Sequence, residues 1–198
     1  MILENSFLSN LNLLEKQIHI INMLASKKEH GIIAVTHQLR KMWSDVTDEE
    51  LFETALINTE SYCGCKISSM LEVLTNLTKE TDVKEPDILD AINNISSEPT
   101  MFVMTNNISL HGATTILYRT KLKSFANEKE CDFYVIPSSI HEIILIPDDG
   151  NVDTKEIEKI IAEVNRTTVS KSEFLSNQLL YYSRSDDTIS IFKTHTRD

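Results

Sequence analysis

The stretch MFVMTNNISLHGATTILYRTKLKSFANEKECDFYVIPSSIHEIILIP, residues 101–147, decides the fold. It opens on a β-rich run, MFVMT, and passes into a segment whose apolar residues Ala113, Leu117, Tyr118, Leu122 and Phe125 recur at helical spacing. Two further runs of strand length follow, DFYVI and EIILI, β-branched and aromatic, joined through the turn residues Pro137-Ser138-Ser139. The reading is strand, helix, strand, strand.

C-terminal to it, Asp153 and Glu156 have the spacing of a helix-capping box, and Ile157, Ile160, Ile161 and Val164 follow as one helical stripe. A short helical turn is expected from Ser170, and LLYYSR and TISIFK form a closing hairpin around Ser185-Asp186-Asp187. Residues 99–198 therefore predict β-α-β-β-α-β-β. That order suits an α+β part with a mixed or mostly antiparallel sheet and its helices on one face.

N-terminal to it, residues 31–98 read as mostly helical. Gly31 ends a preceding helix, GIIAV (31–35) is a short buried strand, and Thr36 caps a helix bearing Leu39, Met42 and Trp43. Thr47 and Glu50 make a capping box before Leu51, Phe52, Ala55 and Leu56. Ser68 or Ser69 opens another helix with Leu71, Leu74 and Leu77, and Pro86 precedes Ile88, Ile92 and Ile95. Residues 1–30 form one long amphipathic helix. Its seam of Phe7, Leu11, Leu14, Ile18, Ile21 and Ala25 is spaced by fours and threes, and Leu13, Ile20 and Leu24 add a second strip. Two strips ask for more cover than one domain surface gives. A homodimer through Leu11, Leu14, Ile18 and Ile21 is the expectation, against a monomer whose helices at 36–96 cover both. The three parts form one compact unit or two closely packed ones.

Charge narrows the function classes. The net charge is −11, with 8 basic and 16 acidic residues in 1–99 against 11 and 14 in the remainder. No basic stripe is present to displace counterions from phosphate, so direct nucleic-acid binding and attachment to anionic membranes are disfavoured. MILENSFLSN has neither the charged nor the apolar region of a signal peptide, and no apolar run is long enough to span a bilayer. Three cysteines, an odd number, fit a reducing compartment, and the expected location is cytoplasmic.

Several stretches together resemble an uncharacterised family common in clostridial-type bacteria and known only as a domain of unknown function. They are GIIAVTHQLRKMW, TDEELFETALINTE, MFVMTNNISLHGATTILY, DFYVIPSSIHEIILIP and LLYYS, spanning about Gly31 to Ile191. Members of that family usually extend further at the N-terminus, where this chain carries its helix at 2–28. The resemblance implies the fold and a bacterial or bacteriophage setting, and it brings no activity.

Candidate chemistry centres on Ser138, Ser139, His141 and Glu142, with Asp148 and Asp149 nearby. Ser139 and His141, two apart, would share a side of an extended strand. A hydrolase would need a strained nucleophile elbow, and G-x-S-x-G is absent; the plainer reading is a serine-capped turn with a polar residue at a strand entrance. His111 could join His141 with Asp132 or Glu142, but no H-x-x-x-H spacing supports a metal, and none is expected. His111-Gly112 lies near a helix start without the glycine pattern of a nucleotide loop, so no cofactor is expected. Cys63-Gly64-Cys65 has no second pair and reads as free thiols. Between Lys41 and Lys66 lie no cations but six acids, Asp45, Asp48, Glu49, Glu50, Glu53 and Glu60. They form a solvated helix face or, functionally, a surface that imitates a phosphate backbone.

Three functions follow as expectations. The first is a non-enzymatic protein-binding module whose partner is unknown. The second is an acidic inhibitor, from a phage or mobile element, that occupies the basic cleft of a host nucleic-acid enzyme. The third is a hydrolase centred on Ser139 and His141, with His111 in reach.

Overall fold

The structure, a computed structural model, describes residues 37–81, 101–137 and 139–193. The N-terminal helix with its seam of Leu11, Leu14, Ile18 and Ile21, the strand read at 31–35, the helix read around Ile92, and Ser138 lie outside the described residues. The chain divides into two compact units between Gly64 and Cys65.

In the first unit, α1 (His37–Met42) and α2 (Asp48–Cys63) are joined by a turn that Arg40 closes. Its guanidinium donates to the carbonyls of Trp43 and Val46 and to Asp48 Oδ1. The capping box forms as the sequence predicts: the Glu50 N–H donates to Thr47 Oγ1 at 3.2 Å, and the Thr47 N–H donates to Glu50 Oε2 at 2.9 Å. Asp48, Glu49 and Glu50 fill the first turn of α2, where negative charge complements the helix dipole. Gly64, at φ 64°, ends the helix in a backbone conformation that suits glycine.

The second unit is α+β. Its strands are β1 (Lys66–Ser69), β2 (Phe102–Thr105), β3 (Phe133–Ile136), β4 (Ile143–Pro147), β5 (Leu180–Ser183) and β6 (Thr188–Ile191). They form one open sheet in the order β1-β2-β4-β3-β5-β6, with every neighbouring pair antiparallel. The helices are α3 (Met70–Thr81), a 3-10 helix (Gly112–Leu117), α4 (Arg119–Lys129) and α5 (Thr154–Thr167).

Two local readings change. Lys66–Ser69 is a strand, drawn from the stretch that reads as helical. Ser69 does cap α3, accepting from the Glu72 N–H at 3.1 Å, but it is also the last residue of β1, paired with Phe102. The helix read across 113–125 is broken at Tyr118, which is buried with φ −83° and ψ 76°. Before the break the turns are tight, because Thr114 and Thr115 donate their hydroxyls to the carbonyls of His111 and Gly112, three residues back.

The central hairpin explains the layers. All four residues of β3 are buried, and β4 buries Ile143, Leu145 and Ile146. On one face, Phe125 of α4 meets Phe133 and Phe102 edge-on, at 5.2 and 5.1 Å between centroids. On the other, Tyr134, Ile136 and Ile146 pack with Ile161 and Ile157 of α5. The expectation of helices on one face is corrected here: α4 and α5 lie on opposite faces. The topology requires it. Strands β2 and β4 run in opposite directions, yet each crossover, β2-α4-β3 and β4-α5-β5, steps over one strand in the same direction across the sheet. Two crossovers of the same hand must then pass on opposite sides.

The last hairpin is clamped to α4. Asp187, at φ 52°, accepts from the Tyr182 hydroxyl at 2.6 Å and from Lys123 Nζ at 3.0 Å, while Arg119 donates to its carbonyl at 2.9 Å. The Tyr182 hydroxyl, then Lys123 and Arg119, hold the Asp187 carboxyl below its ordinary value, against a partial opposing effect of burial.

Two predictions follow from these contacts. Replacing Leu145, fully buried between Phe102 and Val135, with Asp buries an unpaired charge worth several kcal/mol, on the order of the whole folding margin. Leu145→Asp is expected to show no cooperative thermal transition by circular dichroism. For Asp187, a folded pKa below the unfolded value of 3.8 gives stability that is present above that value and lost as pH falls through the folded one. Asp187→Asn, which tolerates the left-handed backbone, should melt below the parent at pH 6, with the gap narrowing as pH falls below about 4.

Candidate functional site

Strand direction brings three connecting segments to one end of the sheet. Strands β2 and β3 finish there, and β4 and β5 begin there. The segments are the loop 106–111, the residues 139–142 and the stretch 170–179.

Asn106 builds the first of them. It is 2% exposed, and its side chain spans its own loop. Oδ1 accepts from the N–H groups of Ile108 and Leu110 at 3.2 and 3.3 Å, and Nδ2 donates to the Leu110 carbonyl at 2.7 Å. Ser109 and His111 take the left-handed region at φ 52° and 51°. The loop ends on Gly112, where a Cβ would overlap Thr105 Oγ1 and the His141 carbonyl oxygen. That approach lets Thr105 Oγ1 donate to the His141 carbonyl at 2.8 Å and the Ala113 N–H donate to the Ile140 carbonyl at 3.1 Å. Glycine is required at 112 for space alone.

The turn is built around Ser139. Its hydroxyl donates to Glu142 Oε1 at 2.9 Å and accepts from the His141 N–H at 3.1 Å. Ser139 also bridges to Phe174, and the Ile140 N–H donates to the Glu173 carbonyl at 2.9 Å, which ties the turn to the third segment. His141 Nε2 lies 3.4 Å from Glu173 Oε1, and its ring stacks on that of His111 with centroids 6.1 Å apart.

Of the sequence candidates, His111, Ser139, His141 and Glu142 thus meet at one end. Asp148, Asp149 and Asp132 do not: they lie at the other. There the Tyr181 hydroxyl reaches Asp148 Oδ2 at 2.9 Å and Asp132 Oδ2 at 3.1 Å, and Asp132 Oδ1 accepts from the Arg184 N–H at 2.8 Å. Burial, reinforced by Asp148, pushes Tyr134 up to about 12, and burial and the same two aspartates raise Tyr181. These groups tie strand ends together. The acidic run lies on and before α2, where Asp45, Asp48, Glu49, Glu50 and Glu53 are exposed and Glu60 is half-buried. Cys63 is buried, which pushes its thiol pKa up. Among the described residues no three His, Cys, Asp or Glu converge as metal ligands, and no helix is long and apolar enough to cross a membrane.

Sequence reasoning missed Asn106 and Glu173. An Asn at a strand end is a turn signal in its own right, because its side chain can mimic a backbone turn. Glu173 gives no such signal, since only the β3–β5 pairing brings it to His141.

A model of DUF5688, a family of unknown function, matches residues 18–184. The chain belongs to this family. The match begins at residue 18, inside the stretch 2–28 that the sequence alone reads as a helix and that lies outside the described residues. No curated protein and no solved structure matches the chain.

The packing at Gly112 yields a prediction. Gly112→Ala forces the 3-10 helix away from the His141 carbonyl, and the loss of stability should be about 3 kcal/mol, the upper range for overpacking. Denaturant unfolding measures it; a loss under 1 kcal/mol would mean that the two segments are not in contact.

Proposed function

We propose that the chain is a non-enzymatic protein-binding module whose contact region is the end formed by residues 106–111, 139–142 and 170–174. The observation that carries this reading is how the Ser139 hydroxyl is used. It donates to Glu142 and accepts from the His141 backbone, so it shapes a turn. A hydrolase centred on Ser139 and His141 would instead need the hydroxyl hydrogen-bonded to the imidazole. His141 Nε2 faces Glu173, and His111 offers it a stacked ring. A set of loops clamped by side-chain and backbone hydrogen bonds suits recognition, because little order remains to be gained on binding.

The reading as an acidic inhibitor rests on the exposed acids before and along α2. Two of them have local duties that account for their place: Asp48 pairs with Arg40 at 2.9 Å, and Glu50 closes the capping box. A nucleic-acid mimic remains the alternative partner mode. A homodimer through Leu11, Leu14, Ile18 and Ile21 is compatible with either.

The test is a pair of substitutions. Ser139→Ala and His141→Ala should each lower stability modestly, by about 0.5–1.5 kcal/mol, the scale of one hydrogen bond. Neither should change the background rate on a panel of carboxylic and phosphoric esters. Turnover by the parent that either change eliminates, with an unaltered melting curve, would overturn the binding reading.

A further inference from the structure

Resting on that reading, we propose that the loop 106–111 is the recognition element, and that its occupant is a protein with an apolar pocket set in a basic rim. Two large aliphatic side chains, Ile108 and Leu110, are 39% and 44% exposed on a loop of six residues. Exposed apolar residues at a mobile tip would mean little. Here the tip is held by a buried side chain that makes three hydrogen bonds to it, and by two non-glycine residues in the left-handed region. Such residues cost on the order of 1–2 kcal/mol each and persist where the surroundings over-determine them. Phe174, 41% exposed, stands on the segment that His141 and Ser139 tie to the same end.

Shape and charge select the occupant. The apolar groups stand on a rigid loop bounded by the stacked His111 and His141, so the surface they fit is concave. A second copy would present the same loop against this one, and two such tips do not cover each other. A second copy would also carry the same net charge of −11. Long-range attraction favours a basic partner, and among the described residues of the same end Glu142 and Glu173, tied to Ser139 and His141, set two carboxylates against one exposed cation, Lys171. An anionic lipid surface is repelled by that charge.

The experiment places a photo-crosslinking amino acid at exposed Asn107 in the full chain, produced in cells where it is native. A control carries it at Glu163 on α5. The expected result is a heterologous protein adduct from position 107 and not from 163, whose crosslinked segment is apolar with Lys or Arg beside it. Changing Ile108 and Leu110 together to Asp should reduce the adduct at least tenfold with the melting temperature unchanged. Should that pair unfold the chain, the change to Ser at both positions serves the same comparison. An adduct with the chain itself, an adduct that survives the substitutions, no adduct, or flotation with phosphatidylcholine or phosphatidylserine vesicles would each overturn the proposal. The ester-hydrolysis assay is independent of all four outcomes, so failure of the loop assignment is separable from failure of the binding reading.

Discussion

Burial of the β3–β4 hairpin on both faces is the constraint on which the second unit depends. Val135 and Leu145 are fully buried on the α4 side, and Ile146 is fully buried on the α5 side. A hairpin this apolar is insoluble alone; each face must be covered by a helix. The crossovers deliver one helix to each face because they leave from oppositely directed strands and step the same way. At about 25 cal/mol per Å² of apolar surface removed from water, this double cover is the largest favourable contribution the fold can draw on.

That constraint has a corollary at the two ends of the sheet. Polar groups that the strands cannot satisfy collect there, and each end uses them differently. At one, Tyr181, Asp132 and Asp148 join the termini of β3, β4 and β5 through side chains. At the other, Asn106 and Thr105 direct their hydrogen bonds to backbone groups, while Ser139 accepts from one and donates to Glu142, and so they fix loop shape. The second end also leaves large aliphatic side chains outside, at Ile108 and Leu110.

Much of this was legible in the sequence. The strand runs, the capping box at Thr47 and the helix from Thr154 are local signals, and local physics produces them. The unbroken apolar runs FYVI and IILI even carried the two-sided burial, since a strand solvated on one face alternates. Reading them with helices on one face overlooked that clue. β1 was not legible, because KISS has little strand character and is held by its pairing with β2. The meeting of His111 and His141 could be guessed from residue type; the role of Ser139 could not, because donor and acceptor directions are set by the turn. Glu173 and Gly112 matter through contacts that no spacing rule encodes.

The separation of the pairing partners along the chain also bears on when the loop end comes into being. β3–β4 and β5–β6 are hairpins and close short loops, whereas β2–β4 and β3–β5 join segments tens of residues apart. Non-local pairings incur their loop-closure entropy before contacts reward it, and so they form late. The stacked imidazoles, the Gly112 contact and the Phe174 bridge all require those late pairings. A nascent or partly unfolded chain therefore has the residues of this end but not the end itself, and any partner that reads it is reading completed folding.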